Sequence, residues 1–357
     1  TMENNQALVG EGTDLVVAAG LTPPPFTLPL PGSGTPPALG GGPVAVFLAQ
    51  GNTLAGFDVL TTGGMGILGV NTHNLVAFDV NIDTTGGPAL WLEGGTGMAA
   101  EFDQVIARND DGEGVFLENL TGTTSFDVLD ISNVNGTGFR AVDAGTVEIE
   151  TEAMVETVLG PALDVRRTEG LYRGRPSWVF DKVVSGGSPI NGVTFASVSQ
   201  DILLRNLLVV EAALYGLWFG DIQAGVTLEE GKIHGLSHGS HGVYLNQVTG
   251  LTLIRGSSSS NPLVIEGIGT GDADSDCGVL HSNSGDLIMQ FVDIRDVGQT
   301  GNEHGIRIQD PLPASPRTVH IEECLVAEIG DANVVGGGSA IDVEVTAAHR
   351  FEAVSYT

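Results

Sequence analysis

Arg140, Asp164 and Arg166 are the residues of this sequence best suited to act on a polar ligand. Arg140 precedes Asp164 by 24 residues, and Arg166 follows two residues later. Two guanidinium groups beside one carboxylate can bind a carboxylated sugar and keep the carboxylate ionised. The same residues can equally form a surface ion pair worth about 0–1 kcal/mol. Both interpretations remain open at this point.

A second candidate region is basic and aromatic, within a chain that is otherwise acidic. Five of the 14 basic residues lie between Arg166 and Lys182, with Arg173 near the middle, and Tyr172 and Trp178 are interleaved with them. Guanidinium groups beside aromatic rings favour an anionic partner such as an acidic polysaccharide. Neutralisation of the protein's own acidic surface explains the same composition.

Four aspartates recur in similar phrases, each directly after a phenylalanine. They are Asp58, Asp79, Asp103 and Asp127. If these phrases stack, we expect the carboxylates to form an outer ladder in which neighbours raise each other's pKa unless a cation bridges them. Calcium suits such hard oxygen ligands, but a solvated acidic ladder is the alternative. No cofactor is required by the sequence.

A repeated four-residue phrase supplies the element that would position these side chains. It consists of a small residue, an apolar residue, a variable residue and a second apolar residue, as in ALWL (89–92), GLWF (216–219) and GVYL (242–245). Apolar residues at every second position are typical of a strand with one buried face, and short strands between Gly and Asn turns exclude a helical solenoid. The sequence therefore predicts an all-β fold, a right-handed parallel β-helix solenoid of about 11–12 coils of about 24 residues each.

The variable third position of the phrase predicts an outward-facing column, with each member one coil beyond the last. We call it the outer ladder, and its members are Leu68, Trp91, Phe116, Arg140, Asp164, Thr194, Trp218, Tyr244, Leu280, Arg307 and Asp342. Aligned exposed aromatic rings suit the stacking of sugar rings. A flanking loop or a neighbouring chain that covers the two tryptophans is the alternative.

The repeat resembles a known family. The G-[VIL]-x-[LIF] strands and the N-x-L-x-G-F-D-V phrase (52–59) are similar to the parallel β-helix repeats of the pectin-lyase-like superfamily, over residues 46–357. The resemblance implies a saccharide groove on this strand face, and the superfamily includes polysaccharide lyases, hydrolases and surface passenger domains. Its hydrolase phrases have only partial counterparts here, SHG (240–242) and RIQ (307–309), so no catalytic set is predicted. If the protein is an enzyme, Arg140, Asp164 and Arg166 are the expected catalytic residues.

Residues 1–45 depart from the repeat. The segment from 22 to 42 is rich in Pro and Gly, and Pro lacks the N–H group that a central strand needs. We expect residues 1–45 to be an N-terminal cap over the open end of the solenoid, whose strand edges would otherwise be exposed.

Composition narrows the class of partner. The 357 residues include 44 acidic and 14 basic ones, a formal net charge of −30, which repels nucleic acid and anionic lipid. No uncharged apolar run reaches the length of a membrane span. We therefore expect a secreted or cell-surface piece of a longer exported chain that binds polysaccharide without catalysis. A lyase or hydrolase acting on uronate-containing glycan is the alternative, and a structural spacer or fibre segment is a second one; the oligomeric state stays open.

Overall fold

The computed structural model describes residues 1–10, 15–17, 26–28, 36–236, 241–269, 276–298, 303–310, 318–329, 339–345 and 350–354. These residues form strands and turns with no helix, and 29 strands join in one parallel sheet wound into a solenoid of about 11 turns. The predicted all-β parallel solenoid with coils about 24 residues apart is confirmed. Within the described ranges no helix is long and apolar enough to cross a membrane.

Each coil has three strand segments, which we call faces A, B and C in chain order. Two strands, Leu90–Arg108 and Val115–Val134, run through all three faces of their coil without a break, and Thr146–Thr157 runs through faces B and C. Face A carries the repeated phrase, in the first segments of Leu90–Arg108 and Val115–Val134 and in Val44–Phe47, Met65–Val70, Phe139–Val142, Leu163–Arg166, Val193–Val198, Tyr215–Ile222, His241–Val248, Cys277–Ser282, His304–Asp310 and Ser339–Val345.

Faces B and C follow after each turn. Four further strands pass from face B into face C: Thr53–Thr62, Val76–Thr85, Asp201–Val210 and Val226–Leu236. The remaining face B strands are Ala7–Val9, Glu169–Tyr172, Arg175–Phe180, Thr252–Arg255, Leu287–Gln290, Thr318–Glu322 and Arg350–Val354. The remaining face C strands are Ala38–Leu39, Lys182–Gly186, Leu263–Ile268, Val292–Val297 and Leu325–Ile329.

The strand register confirms the order of the outer ladder over its whole length. Each of the 11 predicted members is the direct cross-strand partner of the next, from Leu68 opposite Trp91 to Arg307 opposite Asp342. Four members are buried rather than exposed: Phe116, Asp164, Thr194 and Leu280.

The phrase has a steric explanation. A Cβ atom added to Gly216 would lie 2.5 Å from the Gly242 carbonyl oxygen, and one added to Gly242 would lie 2.5 Å from that of Gly278. Small residues are therefore needed where one coil lies on the next. The two apolar positions of the phrase point inward, and His281 takes one of them with 2% of its surface exposed. Cys277 and Cys324 are both buried.

The corners between faces are marked by residues in the left-handed backbone region. At the B–C corner these residues include Asn206, Glu230, Phe291 and Glu323, with φ between 47° and 59°. Asn and Asp tolerate this conformation because their side chains bond to the local backbone. A phenylalanine there is unusual.

The N-terminal region contributes strands of its own. Residues 7–9, 38–39 and 44–47 pair in parallel with the first full coil and its successor. Leu15–Val17 and Phe26–Leu28 form a separate antiparallel pair. The rest of the Pro/Gly-rich segment lies outside the described residues.

Candidate ligand-binding face

Trp91 and Phe116 stack on each other in the first part of the outer ladder. Their ring centroids are 4.0 Å apart with an interplanar angle of 9°, and the Arg140 guanidinium lies 5.3 Å from the Phe116 centroid on the next coil. Phe116 is only 8% exposed. Because its two faces are covered by protein groups, Phe116 cannot offer a face to a sugar ring.

Asp164 is the centre of the charged part of the ladder. Arg140 Nη1 donates to Asp164 Oδ2 at 3.0 Å, and Arg166 Nε donates to Asp164 Oδ1 at 2.6 Å. Arg140 Nη2 also donates to Glu118 Oε2 at 2.9 Å. The Asp164 side chain is 5% exposed. The predicted arrangement of one carboxylate between two cations is present, but the cations are already paired.

Glu113 adds an unexpected carboxyl to this cluster. It is partly buried, and its Oε2 atom has no hydrogen-bond partner. Burial raises its pKa to about 7 against the opposing effect of Arg140, and the charges of Asp164 and Glu118 add to the rise. This carboxyl therefore holds its proton to a higher pH than an ordinary glutamate does.

Trp218 has a different environment in the later part of the ladder. A Cβ atom added to Gly220 would lie 2.8 Å from Cζ2 of Trp218 and 3.3 Å from its Cε2 and Cη2 atoms. The six-membered ring therefore occupies the space that a side chain at position 220 would fill. Trp218 is partly exposed, and no other ring or cation stacks on it in the described part of the chain.

Tyr215, His241 and Tyr244 form an aromatic cluster beside Trp218. Tyr215 stacks on His241 at 5.4 Å, and Tyr244 lies 5.2 Å from Tyr215 and 5.4 Å from His241. Tyr244 is the direct cross-strand partner of Trp218. Burial, with a smaller effect from Tyr215, raises the pKa of Tyr244, so its hydroxyl stays protonated and can donate a hydrogen bond.

The basic segment between Arg166 and Lys182 forms a hairpin on face B. Leu171 and Tyr172 pair antiparallel with Pro176 and Arg175, and Arg173 lies in the turn with φ 51°. Arg173 is exposed, lies 5.0 Å from the Tyr172 ring, and donates from Nε to the Glu150 carbonyl oxygen at 3.0 Å. Arg173 is therefore not part of the outer ladder.

Trp178 and Lys182 do not support an open basic–aromatic surface. Trp178 is 1% exposed and packs against Phe139, Phe180 and Phe195 in the core. The prediction that it belongs to the exposed loop is wrong, because the chain has already returned to the solenoid there. Lys182 forms an ion pair with Glu156.

The expected aspartate ladder is only partly formed. Asp58 lies opposite Asn81, not Asp79, and Asn81 Nδ2 donates to Asp58 Oδ1 at 2.8 Å. Asn81 in turn lies opposite Gln104. The expected stacking of Asp58 on Asp79 is wrong because Asp79 occupies a left-handed position with φ 53°, which takes it out of the strand alternation.

Asp103 and Asp127 remain close to each other. Burial raises the pKa of Asp103, with further increases from the charges of Asp79, Glu101 and Asp127. Among the described residues no group of three or more His, Cys, Asp or Glu side chains is placed to hold a metal ion. Calcium binding at this cluster stays an untested prediction.

Sequence reasoning missed three residues that define the site. Glu118 and Gly220 both lie two residues after a ladder member, and Gly220 is the only glycine at that position of the phrase. Glu113 lies three residues before Phe116, the position that Tyr215 and His241 take before Trp218 and Tyr244. The distance of each residue in sequence from a ladder member was the signal by which it could have been found.

Comparisons with models of known protein families, with curated proteins and with solved structures find no match. The solenoid fold and the geometry of face A are therefore the basis for any functional proposal.

Proposed function

We propose that this protein is a non-catalytic polysaccharide-binding β-solenoid whose ligand lies along face A at Trp218 and Tyr244. We further propose that it belongs with the pectin-lyase-like β-helix proteins and acts as a secreted or cell-surface module. The observation that carries the proposal is the partly exposed Trp218 indole, which lies against Gly220 and has no other ring or cation stacked on it among the described residues.

A partly exposed indole is a suitable platform for a sugar ring. Sugar rings present C–H groups to the negatively charged face of an aromatic ring, and burial of both surfaces is favourable. The Tyr244 hydroxyl and the Tyr215 ring lie beside the platform and supply polar and apolar contacts. Coils about 4.8 Å apart repeat this surface along the axis, which suits an extended polymer.

The charged part of the ladder narrows the expected ligand. Arg140 and Arg166 are paired with Asp164 and Glu118, and Glu113 adds a third carboxyl group beside Arg140. A uronate would meet net negative charge here. We therefore propose a neutral or weakly charged polysaccharide rather than a strongly anionic one.

Binding to an array of neutral and uronate-containing glycans tests the proposal. We expect Trp218→Ala to weaken binding of the glycan that the wild type prefers by at least about tenfold, and Gly220→Ala to weaken it in part by lifting the indole. Trp91→Ala is the matched control, because its ring is stacked on Phe116. Equal binding by wild type and a Trp218→Ala, Tyr244→Ala variant contradicts the proposal.

A second candidate function rests on Glu113. A carboxyl with a pKa of about 7 near Asp164 suits the role of a general acid in glycan cleavage. A screen for reducing ends and unsaturated uronates tests this candidate. Product that is formed by wild type and lost in Glu113→Gln would replace the non-catalytic proposal with the enzymatic one.

A further inference from the structure

A polar cavity of about 490 Å³ lies at the B–C corner, on the side of the coil opposite face A. Its volume is within the range of small-molecule binding sites. It is lined by Arg205, Asn206, Glu229, Glu230, Arg255, Gly256, Ser257, Gln290 and Phe291. None of these residues belongs to the outer ladder.

The charged side chains that line the cavity are held in fixed positions by ion pairs with one another. Arg205, Glu229 and Arg255 occupy successive coils in direct register. Arg205 Nε donates to Glu229 Oε2 at 3.2 Å, and Arg255 Nη2 pairs with Glu229 Oε1. Although burial raises it, the hydrogen bonds from Arg255 and Arg205 hold the pKa of Glu229 below its ordinary value, so the carboxylate stays ionised.

These groups keep hydrogen-bonding capacity for a ligand. A guanidinium has five N–H donors, and the described contacts of Arg255 use one of its nitrogens while those of Arg205 use two. The side chains of Gln290 and Ser257 also face the cavity. Two arginines and two glutamates give the lining no net charge, which favours an uncharged ligand.

Phe291 supplies the aromatic surface of the cavity. It is half-buried and adopts φ 53°, a conformation that a bulky side chain rarely takes. The corresponding corner positions on other coils hold Asn206, Glu230 and Glu323. The coil geometry imposes this conformation at the corner, and at this coil the residue placed there is an aromatic one that lines the cavity.

The loop after Arg255 closes one side. Gly256 N donates to the Gln290 carbonyl oxygen at 3.1 Å, and a Cβ atom at Gly256 would lie 2.6 Å from the Asn261 carbonyl oxygen. Asn261 Nδ2 donates to Ser257 Oγ at 2.8 Å. The wall is therefore held by its own hydrogen bonds and is formed before a ligand arrives.

We propose that this cavity is a second saccharide site, which binds one end or one short segment of a neutral glycan with a sugar ring on Phe291. Planar amide, carboxylate and guanidinium groups around an aromatic ring can satisfy the paired donor and acceptor character of sugar hydroxyls. The proposal is independent of face A, since the two surfaces share no residue.

The test uses the full chain carrying Trp218→Ala and Tyr244→Ala, so that only the corner cavity remains. Its affinity for neutral oligosaccharides of glucose, galactose, mannose and N-acetylglucosamine is measured by calorimetry and ligand-observed NMR. We expect binding of at least one of them, with little change between about 0.1 M and about 1 M salt because the ligand is uncharged. No binding of any neutral oligosaccharide, or preferential salt-sensitive binding of uronates, would overturn the proposal.

Phe291→Asn in the same background identifies the site. Asparagine suits the left-handed position, so we expect the melting temperature to stay equal or rise while the affinity falls at least about tenfold. Glu323→Asn, at the same corner one coil on and outside the cavity lining, is the matched control and should leave affinity unchanged. Unchanged affinity in Phe291→Asn would overturn the assignment to this cavity without touching the proposal for face A.

Discussion

The two aromatic stretches of the outer ladder look alike in sequence but differ in what they offer to a ligand. Trp91 and Phe116 are stacked on each other and covered by Arg140 on the next coil. Trp218 lies against Gly220 and is partly exposed, with no other ring or cation stacked on it among the described residues. In the first stretch the aromatic and charged side chains contact each other, whereas in the second the Trp218 ring remains available to a ligand.

The difference shows that the neighbours two and three residues away decide the role of a ladder residue. At the first stretch the residue two positions on is Glu93 or Glu118, and each of these pairs with a ladder member. At Trp218 that residue is Gly220, which has no side chain and therefore leaves room for the indole ring. The first stretch is therefore expected to govern stability and the second to govern binding.

The largest expected effect on stability is at Asp164. Asp164→Ala leaves Arg140 and Arg166 without their buried partner, and we expect the free energy of unfolding to fall by about 2–4 kcal/mol in urea denaturation. The matched control is Asp143→Asn, which breaks an equally short but exposed pair with Arg167 and keeps a residue that tolerates the left-handed backbone at φ 50°; it should change stability by no more than about 1 kcal/mol. Equal losses for the two variants would contradict the assigned role of the first stretch.

The next effect is the pH dependence contributed by Glu113. Its pKa in the folded protein is raised to about 7. Its favourable contribution to the free energy of unfolding is therefore complete below the ordinary carboxyl pKa and is lost as pH rises toward 7. We expect wild type to lose about 1–2 kcal/mol more than Glu113→Gln between about pH 5 and about pH 8, a range reduced from the full shift because the side chain is partly solvated. Parallel pH profiles for the two proteins would contradict this prediction.

A smaller effect distinguishes the two exposed tryptophans. Trp91→Ala loses a stacked ring contact, so we expect it to destabilise the fold by about 1 kcal/mol more than Trp218→Ala does. Glycan binding should show the opposite order. If both variants lose the same stability and the same affinity, the two stretches do not differ in function.

The smallest effect is expected at Arg173. Arg173→Ala removes an exposed contact with Tyr172 and two exposed hydrogen bonds to backbone carbonyl oxygens, so the free energy of unfolding should change by less than about 0.5 kcal/mol. Binding of neutral glycans should be unchanged because the hairpin lies on face B. Weaker binding of an acidic polysaccharide in this variant would instead support the anionic partner that the basic segment suggests.

Much of this architecture could be predicted from the repeat alone. Period-2 alternation and a nearly constant spacing determine which residues share a ladder, because stacked parallel strands must keep their hydrogen-bond register. This is why Arg140 and Asp164 could be placed side by side, and why His281 could be placed inside. The aspartate phrases were misaligned because a left-handed residue, Asp79, is not visible in the alternation pattern.

The sequence by itself determined the solenoid, its coil length and the order of the outer ladder, since these depend on local periodicity. Only the tertiary structure decided which rings are covered, which cations are paired and where a cavity opens. Those outcomes depend on side chains two or three residues apart meeting across neighbouring coils, and on the backbone conformation at a corner such as Phe291. Periodicity places a side chain on a face, but packing decides whether it remains free to bind.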